Sequence, residues 1–307
     1  MDIGVYLLAI VSPLLYAATN HFDNILLAKY FKEGGVGTLI LFSALLSIIA
    51  IPVFYLIDPT VLGVDMKSVA ILILVGLINV LLLWCYLQAV FTDEPTVVII
   101  YYQLVPVIGL GLGYVILGET LTSNQMFAMI IIIMGALVLT VALDDDGKIV
   151  FRGRTAFYML IASTCWAFES VLFKLVALEE NVWRSLFWEH STLGVIGILI
   201  LIFIPHYRKS FQKALRLNSG PILSLNVTNE VFYMTANSVA AFVVVLIPVS
   251  LTLLMNSFQP LFVLVIGFIL TVFFPKLGVV HIRRSNMKQK LIAIAITGLG
   301  AYMLGGW

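Results

Sequence analysis

Five polar side chains recur along one face of an otherwise apolar segment near residues 220 to 244. They follow the i, i+3, i+4, i+7 and i+11 spacing of a single helix face: Asn226, Asn229, Glu230, Tyr233 and Asn237. An ionisable group inside an apolar membrane helix costs roughly 2.5 to 3.5 kcal/mol on insertion scales, so it usually faces a cavity or a partner. These groups could instead only hydrogen-bond adjacent helices, which accounts poorly for Glu230. We predict that Asn226, Glu230, Tyr233 and Asn237 bind a ligand, with Glu230 also a cation or proton site.

A second polar set lies in the segment that contains Trp166, Glu169 and Lys174. Glu169 and Lys174 are five residues apart, about 140° around a helix, so they do not pair with each other. Lys174 therefore needs a carboxylate on another helix or a neutral state. The Glu189-His190 pair is its best-placed partner, unless that pair lies at the membrane interface. We predict Trp166 and Lys174 as binding residues and Glu169 as a second cation or proton site.

The first and third apolar segments also carry polar side chains. Asn20, His21 and Asp23 lie towards the basic end of the first segment, where they either line an entrance or sit among lipid headgroups. We favour the entrance. Tyr86 and Asn79 are seven residues apart, which places them on one helix face. We predict Tyr86 as a binding residue, with ordinary packing as its alternative role.

Two side-chain amides lie close to prolines inside apolar segments. Gln103 precedes Pro106, and Gln259 precedes Pro260, at matching places in an internal repeat. A proline inside a helix frees a backbone carbonyl, and interrupted membrane helices often form ligand sites. Asn256 shares a helix face with Gln259. We therefore predict Gln103, Gln259 and Asn256 as binding residues.

No pattern for catalysis, a metal or a cofactor accompanies these residues. Cys85 and Cys165 lie in apolar segments without a His or Cys at metal-ligand spacing, and neither a zinc motif nor a nucleophile with an adjacent base occurs. The run Gly109-Leu-Gly111-Leu-Gly113 lacks the strand-turn-helix context of a dinucleotide site, so we expect it to pack against a neighbouring helix. A formal net charge of +1 without a basic stripe argues against a nucleic-acid partner.

The composition indicates which elements must position the polar groups. Of 307 residues, 62% are hydrophobic and 11% are charged, against roughly 25% charged in an average soluble domain. The apolar blocks are about 20 residues long, enough for a helix to cross a hydrocarbon core of about 30 Å. Backbone amides cannot stay unpaired in lipid, so each block is predicted to be helical despite its Val and Ile content. The predicted helices lie near residues 3–28, 35–57, 68–91, 95–117, 121–143, 155–178, 183–204, 220–244, 247–273 and 287–305.

The two halves of the sequence match each other weakly but in order. The stretch from Pro95 to Gly135 corresponds to the stretch from Pro248 to Gly300. Five helices per half is an odd number, so the halves would be inverted relative to each other. We therefore predict an all-α membrane protein whose ten transmembrane helices form two inverted five-helix repeats. The predicted parts are a first repeat over 1–143, a polar link over 144–154 and a second repeat over 155–307.

Lys and Arg are concentrated in alternate links between the helices. The links after the odd-numbered helices hold fourteen of them, whereas the other links hold only Lys67 and Arg184. Because basic links stay in the cytoplasm, this distribution places both chain termini outside it. The first apolar segment lacks the features of a cleavable signal peptide and is predicted to be retained as a helix. We expect a multi-pass protein of a prokaryotic cytoplasmic membrane.

Pro106 is followed by Leu117-Gly118-Glu119 at the end of the fourth predicted helix, and this pattern resembles EamA-type members of the drug/metabolite transporter superfamily. The resemblance covers essentially the whole chain. Its motif is short, however, and the second half has Val272-Phe273-Phe274-Pro275 in its place. Glu119 lies at a helix end, which suggests a cap or a link contact rather than a binding role.

The resemblance implies a central cavity between the repeats and transport by alternating access. Members of the superfamily export amino acids and other metabolites, or exchange nucleotide sugars and organic phosphates. Members with ten helices generally have cytoplasmic termini, which is the opposite of what the loop charges predict for this chain. We keep the orientation that the charges predict.

These observations favour a secondary transporter that exports a small amino-bearing or zwitterionic metabolite. Four acidic residues lie within the apolar blocks against the single lysine Lys174. The alternative within transport is an exchanger or flippase for an anionic, phosphate-bearing metabolite or headgroup that uses Lys174 with His21 or His190. A membrane-embedded enzyme or a receptor is less well supported, because neither a reactive constellation nor a sizeable soluble domain is present. The expected partners are a small molecule and the lipid bilayer, and a homodimer is possible.

Overall fold

A computed structural model describes residues 3–31, 35–117, 123–143, 149–273 and 287–305. These residues are almost entirely helical. The helices are α1 (Ile3–Ile25), α2 (Gly35–Ile57), α3 (Met66–Thr92), α4 (Pro95–Val98), α5 (Leu104–Leu117), α6 (Ser123–Thr140), α7 (Gly153–Glu179), α8 (Val182–Phe203), α9 (Pro205–Leu246), α10 (Val249–Met255), α11 (Gln259–Phe273) and α12 (Met287–Gly305). Gly118 and Glu119 of the sequence motif, and residues 144–148 of the predicted link, lie outside the described residues.

Seven stretches of the described residues are long and apolar enough to cross a membrane: Gly35–Ile57, Met66–Thr92, Pro95–Ile116, Gly153–Glu179, Val182–Phe203, Gly220–Leu246 and Val249–Phe273. The helix α6 contains a shorter apolar stretch, Met126–Gly135. The remaining predicted segments coincide with α1, α6 and α12. Large apolar side chains such as Leu56 and Val115 are 79% and 78% exposed, as expected for surfaces that face lipid rather than water.

Two of the predicted helices are interrupted by tighter turns. A 3₁₀ segment, Ile99–Gln103, joins α4 to α5, and a second, Asn256–Phe258, joins α10 to α11. Each interruption follows a short helix that has a proline at its start. Pro95 is the first residue of α4, and Pro248 immediately precedes α10. Each also carries an amide that the sequence predicted as a binding residue, because Gln103 ends one segment and Asn256 begins the other.

The predicted helix near 220–244 is the second part of a longer helix. It begins at Pro205, and α9 is 42 residues long. Pro205 occupies the first helical turn, where its missing amide hydrogen costs nothing. The eighth helix was predicted to begin near residue 220, but the preceding residues are helical as well, with Lys209 and Lys213 exposed and Phe211 packed inward against Phe42. An amphipathic face therefore continues the helix beyond the membrane span.

A short β-hairpin replaces part of the predicted fifth helix and the polar link. Strands β1 (Val141–Leu143) and β2 (Ile149–Phe151) pair in an antiparallel register that places Val141 opposite Phe151. The prediction that residues up to 143 are helical was therefore wrong at that end. The argument for helix applies to chain immersed in lipid, and two adjacent strands can pair their own amides where the spanning segment has ended.

The helices of the two halves pack on each other in antiparallel pairs. The pair α2 and α8 approaches most closely where a Cβ atom on Gly197 would lie 2.9 Å from Ala44 Cβ. On α6 and α12, a Cβ on Gly300 would lie 2.6 Å from the Ile132 side chain. Gly109 of the glycine run meets α10, where its Cβ would lie 2.4 Å from a methyl carbon of Leu253. Small residues thus let helix backbones approach each other, as in other membrane bundles.

Candidate functional site

A central cavity lies between helices of both halves. It encloses about 900 Å³, including the space at its mouth, and is lined by residues of α1, α2, α3, α7, α8, α9 and α11 together with the first 3₁₀ segment. Its polar lining combines carboxylates, amides and hydroxyls with aromatic rings. The lining residues used below are Tyr16, Asn20, Asp23, Ser43, Ser47, Asn79, Tyr86, Tyr102, Trp166, Glu169, Asn229, Glu230, Tyr233, Asn237 and Gln259.

One hydrogen-bond chain joins four helices around Asp23. The Gln259 side-chain amide donates to Asn20 Oδ1 at 2.8 Å, and the Asn20 amide donates to the Tyr86 hydroxyl at 2.8 Å. That hydroxyl donates to Asp23 Oδ2 at 3.1 Å, while the Asn229 amide donates to Asp23 Oδ1 at 2.7 Å. All members are buried. The chain fixes both oxygens of a carboxylate at the cavity surface.

Glu230 lies on the same face of α9, one residue beyond Asn229. The Ser47 hydroxyl of α2 lies 3.4 Å from Glu230 Oε1, and Ser43, one turn earlier on α2, is a second hydroxyl partner. Glu230 is buried, with 5% of its surface exposed. Two neutral hydroxyls satisfy this carboxylate only in part, so it keeps acceptor capacity for a ligand.

Glu169 on α7 meets the cavity from the opposite side. The Asn79 amide of α3 donates to Glu169 Oε1 at 3.2 Å and also lies 3.1 Å from the Tyr233 hydroxyl. The second oxygen of Glu169, Oε2, is buried and has no hydrogen-bond partner among the described residues. Asn79 thereby connects the acidic residue of α7 with the polar face of α9.

Five aromatic rings form a continuous set along the cavity. Tyr16 meets Trp166 edge to face with centroids 5.7 Å apart, and it lies 5.9 Å from Tyr233. Tyr102 contacts Trp166 at 4.8 Å and stacks on Tyr86 at 5.9 Å. Aromatic faces attract cations, and attraction is strongest where water is excluded. The combination of these rings with carboxylates suits a positively charged ligand.

A smaller chamber of about 420 Å³ adjoins the central cavity. The two share Tyr16, Trp166, Glu169 and Asn237, which form the partition between them. Beyond the partition, Glu189 of α8 accepts a hydrogen bond from the Asn237 amide at 3.2 Å. The chamber lies towards the end of the bundle where α8 begins and α9 ends.

The ion pairs among the described residues lie at helix ends rather than in the cavity. Arg152 meets Asp93 at 3.4 Å, and Lys290 meets Glu94. Asp23, Glu169, Glu189 and Glu230 are instead contacted by amides and hydroxyls. Buried carboxyl groups are normally paired with a cation or neutralised, so these four groups can take up either a proton or a positively charged ligand.

The two ends of the bundle are closed by different chemistry. At one end, Arg184 lies 2.9 Å from Glu180 and 3.7 Å from Asp58, and the Asn181 amide donates to Asp58 at 3.0 Å. We call Asp58, Glu180, Asn181 and Arg184 the arginine clamp. At the other end, Phe42 packs between Phe31 and Phe211 with centroids 5.3 and 4.3 Å apart. We call these three rings the phenylalanine cluster.

Most of the predicted site residues lie together around the two cavities. Those that line the central cavity are Asn20, Asp23, Tyr86, Trp166, Glu169, Glu230, Tyr233, Asn237 and Gln259. Asn256 lines the smaller chamber. Helical spacing on α9 and the acidic residues of α1 and α7 were therefore sufficient to identify the main polar lining.

Four predicted site residues make their described contacts elsewhere. The Asn226 amide donates to the Ile222 carbonyl of its own helix at 2.8 Å, and the Gln103 amide donates to the Ser257 carbonyl at 3.1 Å. His21 Nε2 bonds the Val263 carbonyl at 2.8 Å, and Lys174 Nζ donates to the Ile247 carbonyl at 2.8 Å. Each side chain thus bonds a backbone carbonyl. For Asn226 the carbonyl belongs to its own helix, whereas for Gln103, His21 and Lys174 it belongs to another element. None of the four lines either cavity.

Several lining residues were missed or left out of the predicted site. Ser43 and Ser47 are spaced i, i+4 in a strongly apolar helix, a signal that was available but weak. Asn79 and Asn229 had been noted on polar faces without being assigned a binding role. Tyr102 gave no signal, because a tyrosine in an apolar segment usually packs without a specific function.

Comparisons with known proteins agree with this architecture. The EamA-like transporter family matches residues 3–141. One solved structure, described only as a crystal structure of a protein, is similar over 99% of this chain and 96% of its own, with 14% sequence identity and a TM-score of 0.54. At that identity it shows the fold alone. No curated protein matches the chain. The resemblance to the drug/metabolite transporter superfamily is thus confirmed over residues 3–141, the part of the chain that the EamA-like transporter family matches.

Proposed function

We propose that this protein is a secondary active transporter for a small amino-bearing or zwitterionic metabolite. The observation that carries the proposal is a buried cavity in which Asp23, Glu169 and Glu230 face five aromatic rings. Each carboxylate is contacted by neutral amides or hydroxyls. An ammonium group could donate to these oxygens and lie against the rings, which would offset the cost of burying the negative charges.

The alternative, an exchanger or flippase for a phosphate-bearing anion, is less well supported by the geometry. It requires Lys174 with His21 or His190 to face the substrate. Lys174 and His21 are directed to the carbonyls of Ile247 and Val263, and His190 Nδ1 bonds the Leu186 carbonyl of its own helix at 3.0 Å. An anion in the central cavity would also meet three carboxylates without screening by water.

The packing supports an inverted repeat and alternating access. Helix α3 packs on α7 and α1 on α9, while α2 packs on α8, α4–α5 on α10–α11 and α6 on α12. If each of the first five membrane segments is exchanged with the corresponding segment of the second five, the same set of packed pairs results. This symmetry is the one expected of two related repeats. The neighbours are antiparallel, as expected for ten segments that alternate in direction. Rocking one half against the other would open the arginine clamp and the phenylalanine cluster in turn.

The loop charges support an orientation with the arginine clamp outside and the phenylalanine cluster in the cytoplasm. Lys29 lies next to Phe31 on the basic side, and Arg208 and Lys209 lie near Phe211. Both termini would then be outside, and the direction of transport would be export across a prokaryotic cytoplasmic membrane. Glu230 and Glu169 are the candidate coupling residues, since each can bind a proton or a cation when the substrate has left.

The proposal is tested with purified protein in liposomes and a panel of radiolabelled amines, amino acids and phosphate esters. We expect uptake or efflux of an amine, and we expect Glu230→Gln and Asp23→Asn to reduce it at least about tenfold. That loss corresponds to one charge-assisted hydrogen bond of about 1.5 to 3 kcal/mol. The matched control is Glu179→Gln, the same substitution at an exposed position of α7, which should transport normally.

Two outcomes would contradict this proposal. Transport by Glu230→Gln that equals that of the unaltered protein at several pH values would remove Glu230 from the mechanism. Transport of a phosphate ester that depends on Lys174 and not on Asp23 would favour the exchanger instead. Gel filtration of each variant verifies that a loss of transport is not a loss of folding.

A further inference from the structure

Two residues that line the smaller chamber carry acceptor oxygens with no hydrogen-bond partner among the described residues. Glu169 Oε2 and Asn256 Oδ1 are buried without a hydrogen-bond partner among the described residues. Their side chains belong to residues that are only 8% and 7% exposed, and both line the chamber. Buried acceptors without donors are rare in folded proteins because each costs about 1 to 3 kcal/mol. The chamber therefore presents two acceptor oxygens that a positively charged ligand could bind.

A second carboxylate in the chamber also favours a positively charged ligand. Glu189 is 1% exposed and lines the same chamber. It is close enough to Glu169 for the two carboxylates to repel each other. The Asn237 amide contacts one oxygen of Glu189 and the Asn79 amide contacts one oxygen of Glu169, and the second oxygen of Glu169 has no partner among the described residues.

The chamber also adjoins an interruption in a membrane helix. Asn256 begins the 3₁₀ segment between α10 and α11, where the α-helical hydrogen bonding changes. The Thr252 hydroxyl, one turn earlier, lines the same chamber. In membrane transporters, interrupted helices near the middle of the bilayer supply carbonyl and side-chain oxygens to Na⁺. The oxygens of the chamber thus come from α7, α8 and this interrupted segment.

We propose that the smaller chamber binds a sodium ion through Glu169, Glu189 and Asn256. The donors are all hard oxygens, which suit an alkali or alkaline-earth cation rather than a transition metal. Half of the carboxylate oxygens are already held by amides, so too few remain for the six to eight oxygens that Ca²⁺ takes. Glu169 also lines the central cavity, so the ion and an amine substrate would share one carboxylate.

A coupling role for this ion rests on the proposed transport, but its binding does not. Because Glu169 faces both cavities, a bound ion would hold its side chain towards the chamber and so change the charge presented to the substrate. Trp166 stands in the partition beside it. Because the chain has five tryptophans, Trp166 reports occupancy locally when the other four are replaced by phenylalanine.

The test measures thermal stability and tryptophan fluorescence of the purified full chain as NaCl replaces choline chloride at constant ionic strength. The experiment is done at alkaline pH so that protons do not compete. We expect a saturable rise in the unfolding temperature and a saturable fluorescence change with Na⁺, and neither with K⁺. Glu189→Gln and Asn256→Leu should raise the half-saturating Na⁺ concentration at least about tenfold. Glu179→Gln, on the exposed face of α7, should leave it unchanged.

An equal response to Na⁺, K⁺ and choline would overturn the sodium site, as would a stronger saturable response to Ca²⁺ or Mg²⁺. So would an undiminished sodium response in Glu189→Gln. If Glu189→Gln fails to fold, Thr252→Val is tested in its place. This substitution removes one chamber hydroxyl at nearly constant volume and should weaken Na⁺ binding. Sodium binding in a protein that moves no amine would leave this site intact while refuting the proposed function, whereas amine transport without a sodium response would do the reverse.

Discussion

Asp23 shows how a membrane protein can satisfy a buried carboxyl group with neutral hydrogen-bond donors. Its two oxygens accept one hydrogen bond each, from Tyr86 at 3.1 Å and from Asn229 at 2.7 Å. The Tyr86 hydroxyl is oriented in turn by Asn20. Two atoms of the network, Asn229 Oδ1 and Gln259 Oε1, are buried without a hydrogen-bond partner among the described residues. Its hydrogen bonds nevertheless join α1, α3, α9 and α11, and hydrogen bonds are strong in a low-dielectric surrounding. The network therefore stabilises the helix arrangement as well as the carboxylate.

Removing one hydroxyl from this network should be measurable. Tyr86→Phe leaves Asp23 Oδ2 without its donor and the Asn20 amide without its acceptor, and we expect a loss of about 1 to 3 kcal/mol in the free energy of unfolding. Denaturation of the purified protein followed by tryptophan fluorescence measures it. Tyr102→Phe is the matched control, since Tyr102 stacks on Tyr86 but its hydroxyl has no described hydrogen bond. A similar loss in both variants would show that ring packing, not the network, is responsible.

Residue type and spacing predicted most of the polar lining but not the direction of individual side chains. Asn226 and Asn229 share the polar face of α9, yet one bonds its own helix and the other reaches Asp23. That choice depends on whether α1 lies alongside, which periodicity cannot reveal. Lys174 was expected to face the acidic residues of α8, and it donates to the carbonyl that ends α9. A lysine side chain is long enough to have several possible partners. Which one it contacts depends on the tertiary arrangement of the helices.

At the scale of elements, glycines set the distance between the paired helices. On α8, a Cβ at Gly197 would lie 3.0 Å from the backbone carbonyl carbon of Ala44 and 3.1 Å from the amide nitrogen of Leu45. Backbone atoms cannot move aside as a flexible side chain can. Gly111 on α5 has open space at the same position. Gly197 and Gly111 therefore form a matched pair for substitution, one in a crowded position and one in open space.

Alanine at these two positions should have opposite effects. Gly197→Ala must force α8 away from α2, and we expect it to reduce the free energy of unfolding by about 1 to 3 kcal/mol. Gly111→Ala meets no neighbour and should raise it by about 0.5 to 1 kcal/mol, because glycine weakens a helix interior. Thermal unfolding in detergent compares the two variants with the unaltered chain. Equal effects of the same sign would show that helix propensity outweighs packing here.

The elements themselves were largely predictable, because hydrogen-bond satisfaction in lipid leaves helix as the main option for apolar blocks. The errors lie where that constraint ends. Strand β1 occupies the last residues of the predicted fifth helix, and the first part of α9 precedes the predicted eighth helix. The interruptions at Ile99–Gln103 and Asn256–Phe258 lie inside spans, where prolines signalled them but could not fix the turn type.

At the scale of the whole molecule, the arginine clamp joins the two halves at one end of the bundle. Arg184 connects the segment between α2 and α3 with the segment between α7 and α8, through Asp58 and Glu180. Hydrogen bonds from the Thr60 side chain and from Asn181 lower the pKa of Asp58. A lowered carboxyl pKa means that its contribution is complete above the ordinary pKa and is lost only as the pH falls through the lowered value. The clamp should therefore hold in mild acid.

Weakening the clamp should expose the chamber from that end. In a background of Cys85→Ser and Cys165→Ser, we place Ser170→Cys in the chamber lining. Arg184→Gln should then raise its labelling rate by a charged thiol reagent at least severalfold, because Asp58 and Glu180 lose their shared partner. Without that substitution, the labelling rate corrected for the thiolate fraction at each pH should stay low from neutral pH into mild acid. An unchanged rate in Arg184→Gln would mean that the clamp does not close this end.

The two ends of the bundle are held by different kinds of contact, charged at one end and aromatic at the other. Dissolved salt should therefore affect the two ends differently. Charges at a surface are screened within about 8 Å at physiological ionic strength and within about 3 Å at 1 M, whereas contacts between phenylalanine rings persist or strengthen in salts that are excluded from protein surfaces. Concentrated sulfate would therefore loosen the arginine clamp while tightening the phenylalanine cluster. The resting conformation would be biased by the medium alone, before any substrate binds.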